Sequence, residues 1–258
     1  MSQPAVTAAP PNYPGCPQAV TEVLAAGRSL RDPRWGLWDC LVMVIGAFGL
    51  STIVIVSMQV AQAPTLVVLL VGSVAPWVFL GGYPLLITKL RGNGPVIDLG
   101  LTLRWIDLVW AVAAGIVGLI IASLLALLTT QLVGEFTSTG AEVAEQVREA
   151  GGTPAVLLFA VLLVVGAPVV EELAFRGLLF NSLRKRGIGV VWTLVISSAA
   201  FALIHFEPTR LLVLVALGLV LGIVRWRTGS LLACMLTHAM INAPAALVLA
   251  LGLPGVTP

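Results

Sequence analysis

Charge is what this chain has least of. Asp, Glu, Lys and Arg make up 10% of its 258 residues, where soluble domains carry about 25%. Histidine occurs twice, tyrosine twice and cysteine three times. The cysteines, Cys16, Cys40 and Cys234, form neither a CxxC pair nor a disulfide framework, and are expected to act as small packing residues. A net charge of +2, with no Lys/Arg cluster interleaved with aromatics, excludes nucleic acid as a partner. The first 20 residues are rich in Pro and Ala and lack a charged stretch followed by an apolar one, so they do not read as a signal peptide.

What is there is apolar. Hydrophobic residues make up 59% of the chain, and several uncharged runs reach the ~20 residues that a membrane helix needs. Seven spans are expected, near 38–60, 65–88, 107–131, 154–183, 189–206, 210–226 and 229–251. The fold class is therefore all-α, a polytopic membrane helix bundle with the lipid bilayer as its solvent. Residues 1–37 are expected as a largely disordered cytoplasmic tail, with at most a short helix near Val20–Leu30. Residues 38–150 hold the first three spans and an amphipathic segment at 135–150, with Glu135, Glu142, Glu145 and Glu149. That segment reads as a surface helix on the outer face, with a gate as the sharper alternative. Residues 151–252 form the last unit.

Lys and Arg set the orientation. Arg28, Arg31, Arg34, Lys89, Arg91, Arg104, Arg184, Lys185, Arg186, Arg225 and Arg227 fall in one alternating set of loops. Arg148 and Arg210 fall in the other. Seven crossings then put the N-terminus in the cytoplasm and the C-terminus outside. The remaining basic residue, Arg176, lies inside a span.

An ionisable group in the bilayer costs at least ~2.5–3.5 kcal/mol on insertion scales and usually faces the bundle interior. Few such residues occur here: Glu171, Glu172 and Arg176 in span 4, His205 ending span 5, and His238 in span 7 with Asn242 one turn on. At 1.5 Å per residue, Glu171, His205, His238 and Asn242 lie roughly 20, 24, 15 and 21 Å from the cytoplasmic ends of their helices. Three sequence-distant helices thus place their rare polar groups in one slab, which points to a single buried site. Residues four apart share a helix face, so Glu172 and Arg176 pair and Glu171, about 100° away, is free for other work. His238 and Asn242 can project into one cavity, and Phe201, one turn before His205, can wall it. Gly177 and Gly166–Ala167–Pro168 permit close approach or a bend around the acids.

Three motifs stand in order, each in an apolar span: EELAFR at 171–176, FALIH at 201–205 and HAMIN at 238–242. Together they resemble the EExxxR, FxxxH and HxxxN/D pattern of the CPBP family, the CAAX proteases and bacteriocin-processing enzymes also called the Abi family. The resemblance covers roughly residues 150–245, and DLGLTLRWID at 98–107 is similar to a segment preceding the core in bacterial members. It implies an α-helical intramembrane endopeptidase, similar to the Ras-converting enzyme that removes the last three residues of prenylated CAAX proteins. It also implies Glu171 as the general base for water with His205 assisting, His238 and Asn242 as the oxyanion site, and Glu172 and Arg176 as a structural pair, with Phe201 in support.

The chemistry agrees with that resemblance. Peptide hydrolysis needs an activated water and hydrogen-bond donors for the developing oxyanion, and Glu, His and Asn supply both. No Ser–His–Asp or Cys–His set is evident; Cys234, one turn before His238, is a minor alternative nucleophile. Glu with two histidines also occurs as the ligand set of catalytic zinc. No HExxH is present, and the expectation is a site with no obligatory cofactor, with zinc on Glu171, His205 and His238 as the alternative. The expected partners are a peptide or protein substrate, lipid-modified or membrane-bound, and the bilayer itself. Two rivals stand: a proton-coupled transporter, against which the lack of an inverted repeat speaks, and a non-catalytic membrane immunity or scaffold protein.

Overall fold

The structure, a computed structural model, describes residues 8–10 and 13–252. Among the described residues every regular element is helical. A short α1 (Pro17–Ala25) precedes α2 (Leu37–Val60), whose first turn is closed by Asp39 accepting the Gly36 N–H at 2.7 Å. Next, α3 (Thr65–Val74) and α4 (Tyr83–Arg91) flank a π-helical turn at Val78–Gly82 in one apolar rod of 27 residues. After the one-turn α5 (Pro95–Leu99) comes α6 (Trp105–Val133), started by Asp107, which accepts the Arg104 N–H at 2.8 Å.

The next rod is the longest. Here α7 (Thr139–Val161), a π-helical turn (Leu162–Gly166), α8 (Ala167–Glu172), a second π-helical turn (Leu173–Leu179) and α9 (Phe180–Lys185) run on as 47 residues. At ~1.5 Å per residue such a rod far exceeds the ~30 Å of hydrocarbon. Gly152, with φ of 63°, bends it at the point where the acidic segment gives way to the apolar one. Then follow α10 (Val190–Leu203), a 3₁₀ turn at Pro208–Arg210, α11 (Leu211–Thr228) and α12 (Leu231–Leu251), which Ser230 caps by accepting the Ala233 N–H at 3.1 Å.

Six of these helices are long and apolar enough to cross a membrane, and α10 is a shorter seventh of 14 residues. With its neighbours this makes an integral membrane bundle of about seven helices, as the hydropathy pattern predicts. Large apolar side chains such as Ile45, Leu124, Leu127 and Leu132 point outward, which lipid accepts. Inside, Met43, Phe175, Leu178, Phe201 and Leu214 pack together. Small residues let the rods touch: a Cβ on Gly218 would lie 2.8 Å from Ser198 Cβ, and one on Gly166 only 2.0 Å from the Trp77 ring.

Three expectations change. The stretch read as a largely disordered tail is anchored on both sides of a mostly exposed segment at 25–32: Cys16 and Trp35 are buried, Tyr13 Oη donates to Asp98 Oδ1, and Trp35 Nε1 donates to Asp98 Oδ2 at 2.8 Å. Its few aromatic and apolar side chains find partners in the loop at 92–104, a long-range pairing that composition does not reveal. Residues 1–7 and 11–12 lie outside the described residues. The acidic segment at 135–150 is helical from Thr139 and separated from the apolar run by the non-helical Gly152 (φ 63°, ψ −162°); it is not merely a surface helix, because one face, with Ala144 and Val147, buries against Leu66, Leu69 and Leu70. Finally, α10 ends at Leu203, before His205, so that histidine sits just past a helix end.

Hydrogen bonds tie the loops of each end together. At one end Arg34 N–H donates to Arg91 O at 2.7 Å, Gln18 Nε2 to Thr228 O at 2.9 Å, and Leu231 N–H to Gly100 O at 2.8 Å. At the other, Thr139 N–H donates to Glu207 Oε1 at 2.8 Å and Arg148 Nη2 to Leu249 O at 2.5 Å.

Candidate active site

The two adjacent acids have different surroundings because α8 passes directly into a π-helical turn. Glu172 points into the bundle and is fully buried. Its Oε1 accepts from Arg176 Nη1 at 3.0 Å, the predicted i, i+4 pair. Arg176, also fully buried, donates from Nη2 to Gly218 O at 3.0 Å and lays its guanidinium 4.6 Å over the centre of the Phe201 ring. The sequence pattern does not foresee one further bond: His238 Nδ1 meets the same Glu172 Oε1 at 2.9 Å. A carboxylate only accepts, so this contact puts a hydrogen on Nδ1 and turns Nε2 towards the cavity.

Glu171 is the partly open acid, with 18% of its side chain exposed, and its Oε2 lies 3.7 Å from His238 Nε2. Atoms that far apart do not bond directly, yet one oxygen can lie within hydrogen-bond reach of both. His205 Nδ1 meets Phe201 O at 2.7 Å, which makes Nδ1 the donor and leaves Nε2 with a free lone pair. Asn242 spends one amide hydrogen on Leu163 O at 3.0 Å, in the π-helical turn before α8. Phe201 stands edge-on to both histidine rings, 4.8 Å from His205 and 5.8 Å from His238 between centroids. It is more than a wall, since it touches both histidines and Arg176.

Of the predicted set, the fold brings Glu171, Glu172, Arg176, His238 and Phe201 into one contiguous cluster. His205 joins through Phe201, and Asn242 joins through its own helix. Neither is hydrogen-bonded to Glu171. The three residues that would ligate zinc, Glu171, His205 and His238, do not converge: among the described residues no three His, Cys, Asp or Glu side chains are grouped to hold a metal ion. The Cys234 thiol is buried and donates to Ser230 O and Leu221 O, at 3.3 and 3.6 Å.

A second polar cluster went unread in the sequence. Asp98 accepts from Tyr13, Trp35 and the Asn93 N–H. Asn181 Nδ2 donates to Asp98 O at 2.6 Å, and Arg225 Nη2 donates to Asn181 Oδ1 at 3.4 Å. The available signal was an arginine and an asparagine just inside the ends of two apolar helices.

The class that this architecture defines is a helical integral membrane protein whose rare ionisable groups close on one another inside the bundle. Residues 153–244 match the model of the type II CAAX prenyl endopeptidase family, Rce1-like, so this stretch is similar to the CAAX protease (CPBP) family of membrane endopeptidases. That segment contains all three motifs. Over 89 residues the chain is also 35% identical to an uncharacterized 24.3 kDa protein of Escherichia coli, a match covering 33% of this chain and 41% of that protein. The chain thus spans less than half the length of this curated relative. No solved structure matches it.

Proposed function

We propose that the protein hydrolyses a peptide bond of a membrane-bound or lipid-modified protein within or beside the bilayer, with Glu171 as the base that activates water. The observation that carries this reading is the 3.7 Å separation between Glu171 Oε2 and His238 Nε2, in a cluster where Glu172 and Arg176 already balance one another. A reacting centre must sit about 3 Å from both the water's base and the oxyanion's donor, and this spacing allows it.

In the proposed reaction Glu171 takes a proton from water as its oxygen attacks the carbonyl carbon. The carbonyl oxygen gains negative charge and accepts hydrogen bonds from the free amide hydrogen of Asn242 and from His238 Nε2–H, a donor that exists in the imidazolium form of the ring, whose other N–H, on Nδ1, is held by Glu172. The C–N bond then breaks, and the proton held by Glu171 passes to the leaving nitrogen. His205 Nε2, with its lone pair free, assists in moving the proton. Glu172 is a positioning residue, since its bond to Nδ1 fixes which nitrogen of His238 faces the substrate. The Lys- and Arg-rich end of the bundle is assigned to the cytoplasm, so substrates with cytoplasmic C-termini reach the site from that side.

The test is cleavage by the purified full chain of a fluorogenic prenylated tetrapeptide and of a generic peptide pool. Glu171→Ala and His238→Ala run beside the wild type, each with and without a zinc chelator. The expected result is cleavage that survives the chelator and falls about 10²–10⁴-fold in each variant, the scale of general acid–base and oxyanion contributions. Equal cleavage in all variants sinks the site assignment. Loss to the chelator with rescue by zinc replaces the glutamate mechanism by a metal one.

A further inference from the structure

The Arg-rich end of the bundle holds a cavity of about 380 Å³, bounded by Tyr13, Asn181, Arg184, Arg225 and Trp226 among others. That size falls within the roughly 300–1,000 Å³ of small-molecule pockets. Two arginines face it and, among the described residues, no acid does. Arg225 is 3% exposed, yet it makes no salt bridge among the described residues. Its guanidinium is held by neutral groups only, the Gly229 carbonyl and Asn181 Oδ1. Arg184 likewise bonds only a carbonyl, that of Ile188 at 2.6 Å. The acids nearby are committed elsewhere: Asp98 to Tyr13, Trp35 and Asn93, and Glu172 to Arg176 and His238. A buried guanidinium without a counter-charge is costly, and Asn181 holds this one in place at the cavity wall.

We infer that this cavity binds a phosphate-type anion on Arg184 and Arg225. Its surroundings suit the headgroup of an anionic phospholipid. Trp226 is half-exposed at the cavity mouth, the placement that marks a membrane interface. Arg227 lies 4.5 Å over the Trp226 ring, and a second cavity of about 590 Å³ adjoins through Pro17, Trp226 and Gly229. Glu22 and the Asp107-paired Arg104 stand by that second cavity, so the unbalanced charge is in the first. The N-terminal segment roofs the site with Tyr13, Pro14 and Gly15, so the anion would also pin that segment to α9 and α11. The inference is independent of the peptidase reading.

The experiment is native mass spectrometry of the detergent-purified full chain, titrated separately with dioleoyl phosphatidylglycerol and dioleoyl phosphatidylcholine. The wild type is expected to retain phosphatidylglycerol about tenfold better, the factor that one charge-assisted hydrogen bond supplies. Arg184→Gln, at a half-buried position outside the candidate active site, is expected to bring the two lipids near parity while thermal unfolding stays that of wild type. Arg225→Gln is expected to do the same; should it fail to fold, Arg184→Gln alone decides. A parallel titration with inorganic phosphate, read by tryptophan fluorescence, separates the sources. Displacement of the lipid by millimolar phosphate supports the same site with a free anion as ligand. Equal retention of both lipids, or a folded Arg184→Gln that keeps the preference, overturns the proposal.

Discussion

Glu171 and Glu172 are neighbours in sequence with opposite consequences on removal. Glu172 is fully buried and holds both Arg176 and His238. Glu172→Gln leaves the Arg176 guanidinium without its counter-ion, and breaking a buried pair from one side costs about 3–5 kcal/mol. Thermal unfolding of the detergent-solubilised variant is expected to move down by many degrees, and cleavage to fall with it. Glu171 is part-exposed and makes no direct hydrogen bond to the cluster, standing 3.7 Å from His238. Glu171→Gln is expected to keep the wild-type unfolding temperature and to lose cleavage about 10²–10⁴-fold. A stable, active Glu171→Gln would shift the base to His205 or His238. An equal loss of stability in the two variants would show that both acids merely hold the fold.

Among the elements, α10 and α11 and the outer end of α7 set how the site is held. Gly218 lets α10 approach α11 so closely that a methyl group there would lie 2.9 Å from Ser198 Cα, while its carbonyl anchors Arg176. Gly218→Ala therefore separates the two helices and shifts Phe201 from the histidines it touches; overpacking of this kind costs about 1–3 kcal/mol. Chemical or thermal unfolding beside the cleavage assay measures both effects, and an unaltered Gly218→Ala would mean that the helices are free to spread. At the opposite end Glu207 accepts from Thr139 N–H and from Arg210, at 2.8 and 2.5 Å. Burial by itself would raise its carboxyl, but Arg210 and the Thr139 contacts more than reverse this, so its pKa falls below the ordinary 4.5. The folded state therefore binds the proton more weakly than the unfolded one. Stability from this contact is complete above pH 4.5 and is lost as pH falls through the lowered folded value. Hydrogen exchange of the α7 N-terminus, corrected for intrinsic rates, is expected to quicken over that acidic window in wild type. In Glu207→Gln it should be fast and flat. A wild type whose corrected exchange ignores pH there would remove Glu207 as the fastener.

For the whole molecule, what was legible in the sequence followed the solvent. Lipid demands long apolar helices and makes each ionisable residue inside them conspicuous, so the bundle, the Glu172–Arg176 pair and the nearness of Glu171 to His238 could all be read. The Glu172–His238 bond, the zinc set that fails to converge and the anchored N-terminal segment could not, because each depends on side-chain direction or long-range loop contacts that spacing does not encode. The π-helical turn after Glu172 rotates all later residues of that rod, and no propensity marks it. Orientation rests on the same logic of charge. The fold gathers Arg34, Arg91, Arg104, Arg225 and Arg227 with their loops at one end and leaves Arg148 and Arg210 at the other. The cytoplasmic bias of Lys and Arg is the ground for proposing that the first end lies inside. The native cysteines are all buried, so they should react slowly with an impermeant maleimide and leave a clean background. In intact cells Glu135→Cys, on an exposed position of the Arg-poor end, is expected to label at once. Asp32→Cys, exposed at the Arg-rich end, should label only after the membrane is permeabilised. The reverse pattern would place the entrance for substrate on the outer side of the membrane and make a cytoplasmic prenylated C-terminus the wrong substrate to offer.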